Sequence, residues 1–205
     1  MLAERVREIL NNENCFSVLL LFEINKIVFS ILPVMAIGKA MMSNIGGYTM
    51  NIRRAQEKDI PALLGLLNQV LEIHAGIRPD IFIPGTTKYT EDELSEMLKD
   101  DSKPVYVAAD EDDRCVGYAF CQKREQPFSN NMVPFTSLFI DDLCVDQSAR
   151  GRHVGEALFE HVKQEAKQMG CYEVTLNVWA GNTSAEKFYE KMGMKTKERQ
   201  LEYIL

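Results

Sequence analysis

Between residues 50 and 205 the apolar positions change period several times, and each change marks an element. Asn51–Arg54 reads as a short strand. Ile60, Leu63, Leu64, Leu67, Val70 and Leu71 recur at helical spacing as far as His74, with Asp59 as cap and Pro61 in the first turn. A loop, Ala75 to Lys88, leads to a second helix that opens on the capping box of Thr90 and Glu93 and runs through Lys99. Val105–Asp110 and Arg114–Lys123 read as strands around Asp110-Glu111-Asp112-Asp113, a charge run expected to be a solvated hairpin tip. Phe135–Val145 is a longer central strand, Gly155–Met169 an amphipathic helix, Tyr172–Trp179 a strand and Ser184–Met192 a short helix, and Lys195–Leu205 is expected to add the last strand or two. Strands and helices interleave, with an antiparallel start and a parallel pairing across the Gly155–Met169 helix. The expected class is α/β (α+β), a mixed central sheet flanked by helices.

Residues 1–49 follow none of these periods. Cys15–Phe22 and Ile27–Ile37 are apolar runs separated by Glu23-Ile24-Asn25-Lys26 and broken by Pro33. They fall short of the roughly twenty uninterrupted apolar residues of a membrane-spanning helix. A signal peptide, which should have a basic start and small residues before its cleavage site, fits no better. The chain therefore divides into an apolar N-terminal extension, 1–49, and a domain, 50–205. Three readings of the extension stay open: translation truly begins at Met50, the segment is a helical membrane-associated piece, or it is a soluble appendage. Gly46-Gly47-Tyr48-Thr49 ahead of Met50 fits the first, because Gly-Gly codons can spell a ribosome-binding site.

Composition narrows the chemistry. With 46% hydrophobic and 26% charged residues the chain reads as globular, and its formal charge of −7 argues against nucleic acid as a partner while mildly favouring a cationic substrate. Cys15, Cys115, Cys121, Cys144 and Cys171 are odd in number and form no C-x-x-C pair, which suits a reducing cytoplasm. His74, His153 and His161 show no metal-ligand spacing, so no metal is expected. A membrane partner is not expected, and a homodimer is left open.

The chemically richest stretch begins where the central strand ends. Asp141-Asp142-Leu143-Cys144-Val145 breaks into Asp146-Gln147-Ser148-Ala149-Arg150-Gly151-Arg152-His153-Val154-Gly155, a basic, glycine-punctuated turn that opens a helix. Helix-start N–H groups, the helix dipole, and Arg150 and Arg152 suit such a turn to a pyrophosphate. Some thirty residues on stands Asn182-Thr183-Ser184-Ala185-Glu186-Lys187-Phe188-Tyr189-Glu190-Lys191-Met192-Gly193. Together the two blocks resemble the GNAT superfamily of acetyl-CoA-dependent N-acetyltransferases. That family's turn reads Gln/Arg-x-x-Gly-x-Gly/Ala, and its later block reads Asn-x-x-Ala-x-x-Phe-Tyr-Glu-Lys-x-Gly. His153 departs from the pattern, standing where the family usually has glycine. The resemblance covers essentially all of residues 50–205 and implies the GNAT fold with two splayed strands. Met50-Asn51-Ile52-Arg53-Arg54-Ala55 is also how the family's first strand commonly starts.

The resemblance implies acetyl-CoA as co-substrate, with its pyrophosphate on Arg150, Gly151, Arg152, His153, Val154 and Gly155. Pantetheine would lie along Leu143, Cys144 and Val145, with Asn182 and Ala185 beside it. Tyr189 matches the tyrosine that protonates the departing thiolate; without the motif it would read as a core aromatic, and Asn182 as a helix cap. An alkyl ammonium, with a pKa near ~10.4, must also lose a proton before it attacks. Strict alternation puts Phe139, Asp141, Leu143 and Val145 on one strand face and Ile140, Asp142 and Cys144 on the other. Family members with a base on this strand keep it on the first face, which favours Asp141; a bulge would invert the choice to Asp142. The corresponding position on the neighbouring strand is Asn177, which cannot accept a proton.

Substrate selection in the family comes from the first helix, the loop after it and the last strands. That places His74, Arg78, Asp80, Phe82, Tyr89, Asn177 and Trp179 at the acceptor wall. His74 and Arg78 suit an acid-bearing substrate, the net charge a cationic one. The expected activity is acetyl transfer to a primary amine of a small molecule or peptide. The competing readings are a catalytically silent acyl-CoA-binding module and a nucleotide-phosphate enzyme, the latter lacking the Gly-Lys-Ser/Thr of a P-loop.

Overall fold

The computed structural model describes residues 41–45, 48–125 and 129–205. They belong to one compact unit, Met41–Leu205. Both apolar runs of the N-terminal extension lie outside the described residues.

Six strands form one sheet in chain order: β1 (Met41–Ile45), β2 (Tyr48–Arg54), β3 (Val105–Ala109), β4 (Cys115–Glu125), β5 (Thr136–Val145) and β6 (Glu173–Leu176). The first five pair antiparallel, and β5 pairs parallel with β6. The sheet thus begins before Met50, and the strand expected at Asn51–Arg54 starts at Tyr48, with β1 on its outer edge.

The first sheet face carries α1 (Ile60–Ile77) and α2 (Glu91–Met97). Ile60, Leu63, Leu66 and Leu67 of α1 and Leu94 of α2 bury against Val105, Val107, Tyr118, Phe120 and Cys144. By length and composition α1 with its preceding turn is apolar enough to cross a membrane. Leu63, Leu66 and Leu67 are instead committed to the sheet. Arg53 fixes where α1 starts, its guanidinium 2.7 Å from the buried Asp59 carboxylate. At α2 the capping box forms as expected, Glu93 N–H donating to Thr90 Oγ1 at 3.3 Å and Thr90 N–H to Glu93 Oε2 at 2.7 Å.

The opposite face carries α3 (Val154–Gln168), which packs Val154, Leu158, Phe159, Val162 and Ala166 on Ile52, Tyr106, Ala119, Cys121, Leu138 and Ile140. A final helix, α4 (Thr183–Lys191), adds Phe188 and Tyr189 to the margin of this core.

Three local expectations need correction. The hairpin tip is not merely solvated: the buried Asp110 carboxylate accepts from the N–H groups of Asp112 and Arg114, closing the turn. The strand expected at Tyr172–Trp179 stops at Leu176, because β5 and β6 part beyond the Ile140–Leu176 pair. Residues 195–205 form no strand. Their first half is a polar run with nothing to bury, and Leu201, Tyr203, Ile204 and Leu205 stay exposed. Ion pairs hold the segment, Lys197 to Glu173 at 2.5 Å and Glu202 to Arg78 at 2.7 Å.

Candidate active site

The decisive local feature is a β-bulge. On β4, Phe120 pairs with Asp142 and the next residue, Cys121, with Ile140, so Asp141 is the extra residue on β5. Leu138, Ile140 and Leu143 consequently all lie on the α3 side, while Cys144 joins Tyr118 and Phe120 on the α1 side. Strict alternation fails here, and the pairing with Phe120 turns Asp142 towards the α1 side. The bulge lies where β5 leaves β6, so beyond Ile140 the outer edge of β5 has no strand partner among the described residues.

The two carboxylates sit in different surroundings. Burial pushes Asp142 up to about 6, against the pull of the Lys88 ammonium and the Tyr118 hydroxyl. Asp141 is paired instead, its Oδ2 2.8 Å from Lys88 Nζ. Burial works against the Lys88 charge, but the hydrogen bond to Asp141 and the two aspartate charges outweigh it and raise its pKa. Tyr118 is fully buried on the same face, with its hydroxyl directed at Asp142. Burial, then the charges of Asp142 and Cys121, keep the proton on Tyr189. Its ring packs 5.0 Å from Phe188 and 6.1 Å from Phe159. Cys144 is an inert thiol, raised to about 12 by burial and directed at the Leu66 carbonyl.

The turn expected to hold a pyrophosphate runs from Asp146 into α3. Gly151 adopts φ +75°, and His153, the residue before α3, adopts φ 60°. That left-handed geometry explains why glycine suits position 153 and costs a histidine roughly 1 kcal/mol or more. The His153 imidazole meets Glu156 at 3.0 Å, so it is committed to its own helix. Arg150 Nε donates to the Val145 carbonyl at 3.1 Å, folding the turn back on the end of β5. Asp146 caps the turn through Ser148 N–H, and Gln69 of α1 donates to Asp146 at 2.9 Å. A Cβ at Gly155 would meet the Phe188 ring of α4 at 3.4 Å, an ordinary contact, so packing alone does not demand glycine there. Asn182 is a cap, its Oδ1 accepting from Ala185 N–H at 3.2 Å.

The residues expected at the acceptor wall come together in part. Phe82 stands edge-on to Trp179 at 5.2 Å and 5.1 Å from His74, with the Arg78 guanidinium 5.9 Å above Trp179. Arg78 is saturated by Asp80 and Glu202, and His74 is held neutral by burial and by the charge of Lys88. Neither is therefore poised to meet an acid. Asn177 lies beyond the end of β6, with no strand partner. Lys88, Tyr118, Gln69 and Glu202 carry no signal in the sequence: one lies in a loop without period, one looks like core, and two act through distant partners.

The sequence model of the acetyltransferase (GNAT) family matches residues 67–194. The chain belongs to that family. Its fold is shared by a variant of the BH1408 protein of Bacillus halodurans, 27% identical, with a TM-score of 0.72 over 75% of this chain and 98% of that one. Glucosamine 6-phosphate N-acetyltransferase of Arabidopsis thaliana is 39% identical over 62 residues, 30% of this chain and 40% of that enzyme. Peptidyl-lysine N-acetyltransferase YjaB of Salmonella typhimurium is 31% identical over 109 residues, 52% of this chain and 62% of that enzyme. The chain thus spans less than two thirds of each of these curated relatives.

Proposed function

We propose that the protein transfers acetyl from acetyl-CoA to a primary amine of a small molecule or peptide by direct attack. The observation that carries this reading is the placement of Asp142: a half-buried carboxyl beside the bulge, where β5 parts from β6, pushed up to about 6 by desolvation, with the protonated Tyr189 within its field. A base must be ionised at working pH and yet willing to take a proton, and a value near 6 meets both needs. Asp142 takes the proton from the acceptor ammonium, and Tyr189 gives one to the departing thiolate. The open edge of β5 at Leu143, Cys144 and Val145 offers main-chain bonds to pantetheine. The 150–155 turn and the arginines at 150 and 152 suit the pyrophosphate, and a thioester supplies an activated acetyl group when bound.

The relatives named above act on an amino-sugar phosphate and on peptidyl lysine. In this chain Arg78 is consumed by carboxylates, His74 is neutral, and two aspartates mark the centre. That wall supports a cationic amine over a phosphorylated sugar. The four described cysteines are free, in keeping with a reducing compartment and a cytoplasmic location. A screen of amines with acetyl-CoA, following released thiol, tests the reading. Saturable release with a cationic amine is expected, whereas tight acetyl-CoA binding without release for any amine would identify a silent acyl-CoA-binding module.

A further inference from the structure

We propose that Lys88 is a self-acetylation site: with no acceptor bound, the protein transfers the acetyl group to its own Lys88 Nζ. The inference rests on the transfer reading above and adds a second, internal acceptor to it. Its geometric basis is where the Lys88 amine lies. Lys88 Nζ is 2.8 Å from Asp141, the bulged residue, at the point where β5 turns away from β6. Asp142 is the next residue along, close enough for its charge to act on the ammonium. An acceptor amine in direct transfer needs the same setting: a carboxylate to seat its ammonium, a second to take its proton, and an open strand edge beside it.

No other described lysine pairs with a carboxylate on β5. Lys58, Lys99, Lys103, Lys163, Lys191 and Lys197 all pair with carboxylates elsewhere. Lys88 comes from the loop before α2, which belongs to no sheet ladder, and its ammonium lies 5.4 Å from the Tyr89 ring centroid. Its side chain is 43% exposed and that of Asp141 24%, so the pair lies at an opening and is not sealed in the core. The buried Tyr118 hydroxyl acts on Asp142 from the same face.

In the step, a bond forms between Nζ and the acetyl carbon while the thioester C–S bond breaks. Nζ loses two protons in becoming an amide. One is matched by the proton that Tyr189 gives to the CoA sulfur; the other leaves to solvent through Asp142. The product carries no charge at residue 88, so the ion pair to Asp141 is lost and Asp141 remains as an unmatched carboxylate at the acceptor wall.

The test is to incubate the full chain with acetyl-CoA, alone and with a panel of primary amines, and to locate acetyl groups by peptide mass mapping. One acetyl per chain on Lys88 is expected, at a rate per chain independent of chain concentration. An amine that is turned over should suppress it, and Asp142→Asn should slow it at least about tenfold. Acetyl spread across exposed lysines, at a rate unchanged by Asp142→Asn or by heat-unfolding, overturns the proposal in favour of adventitious acylation. Turnover of an added amine with Lys88 unmodified overturns it while leaving the transfer reading intact; no acetylation of either overturns both. Because the mapping is made on the unaltered chain, its outcome does not depend on a variant folding.

Discussion

Gln69 on α1 and Asp146 at the end of β5 are joined by a 2.9 Å hydrogen bond, which ties the candidate cofactor turn to the first long helix. The same glutamine accepts from Gln147 N–H at 3.3 Å. Each such bond is worth about 0.5–1.5 kcal/mol net. Gln69→Leu keeps the helix but loosens the turn, and calorimetry should show acetyl-CoA affinity falling about 3- to 10-fold. Turnover at saturating acetyl-CoA should change little.

Burial keeps the proton on Tyr189, the form that the proposed transfer to the thiolate requires. Tyr189→Phe preserves the packing on Phe159 and Phe188 and removes only that proton. General acids typically contribute 10²–10⁴-fold, so kcat should drop at least about tenfold with acetyl-CoA affinity nearly intact. A wild-type rate across the pH range would show the ring to be a packing residue.

Asp142 couples activity to stability with opposite signs. Its folded value, about 6, lies above the roughly 3.9 of an unfolded aspartate. The stability it contributes is present in full below the unfolded value and is lost as pH rises through 6; above that, the ionised carboxylate is a cost. Asp142→Asn should therefore be the slower enzyme, lacking the acidic limb near pH 6, yet at pH 8 more stable by about 1–2 kcal/mol in urea. The gap should close below pH 4.

Gly117 of β4 sits under α3. A Cβ there would lie 2.9 Å from the Cys144 carbonyl oxygen and 3.2 Å from Leu158. The backbone oxygen cannot rotate away as a side chain can. Gly117→Ala should therefore cost about 1–3 kcal/mol, seen as a Tm lowered by several degrees.

Much of this architecture is legible in the sequence because it rests on local chemistry. The Thr90–Glu93 box, the α1 and α3 periodicities and the Asn182 cap fall where the residues put them. The bulge is hidden because pairing decides it: β4 runs straight opposite, and only the spacing of three between Ile140 and Leu143, both core residues of one face, betrays the extra residue. Lys88 leaves no trace, since its role depends on where a loop lands. The final segment misleads because its apolar residues resemble a strand, whereas a strand also needs a partner edge and a face to bury.

Without Asp141, Ile140, Asp142, Leu143 and Cys144 would follow one another in unbroken alternation, opposite the same β4 partners they already have. Every core side chain of β5 would keep its place. The hydrophobic interior is thus indifferent to this one residue, which contributes an irregular strand edge and a seat for an ammonium. Shortening the strand by one should therefore leave the fold standing while removing the partner of Lys88: at this point of the strand, what the residue adds is a surplus over what folding requires.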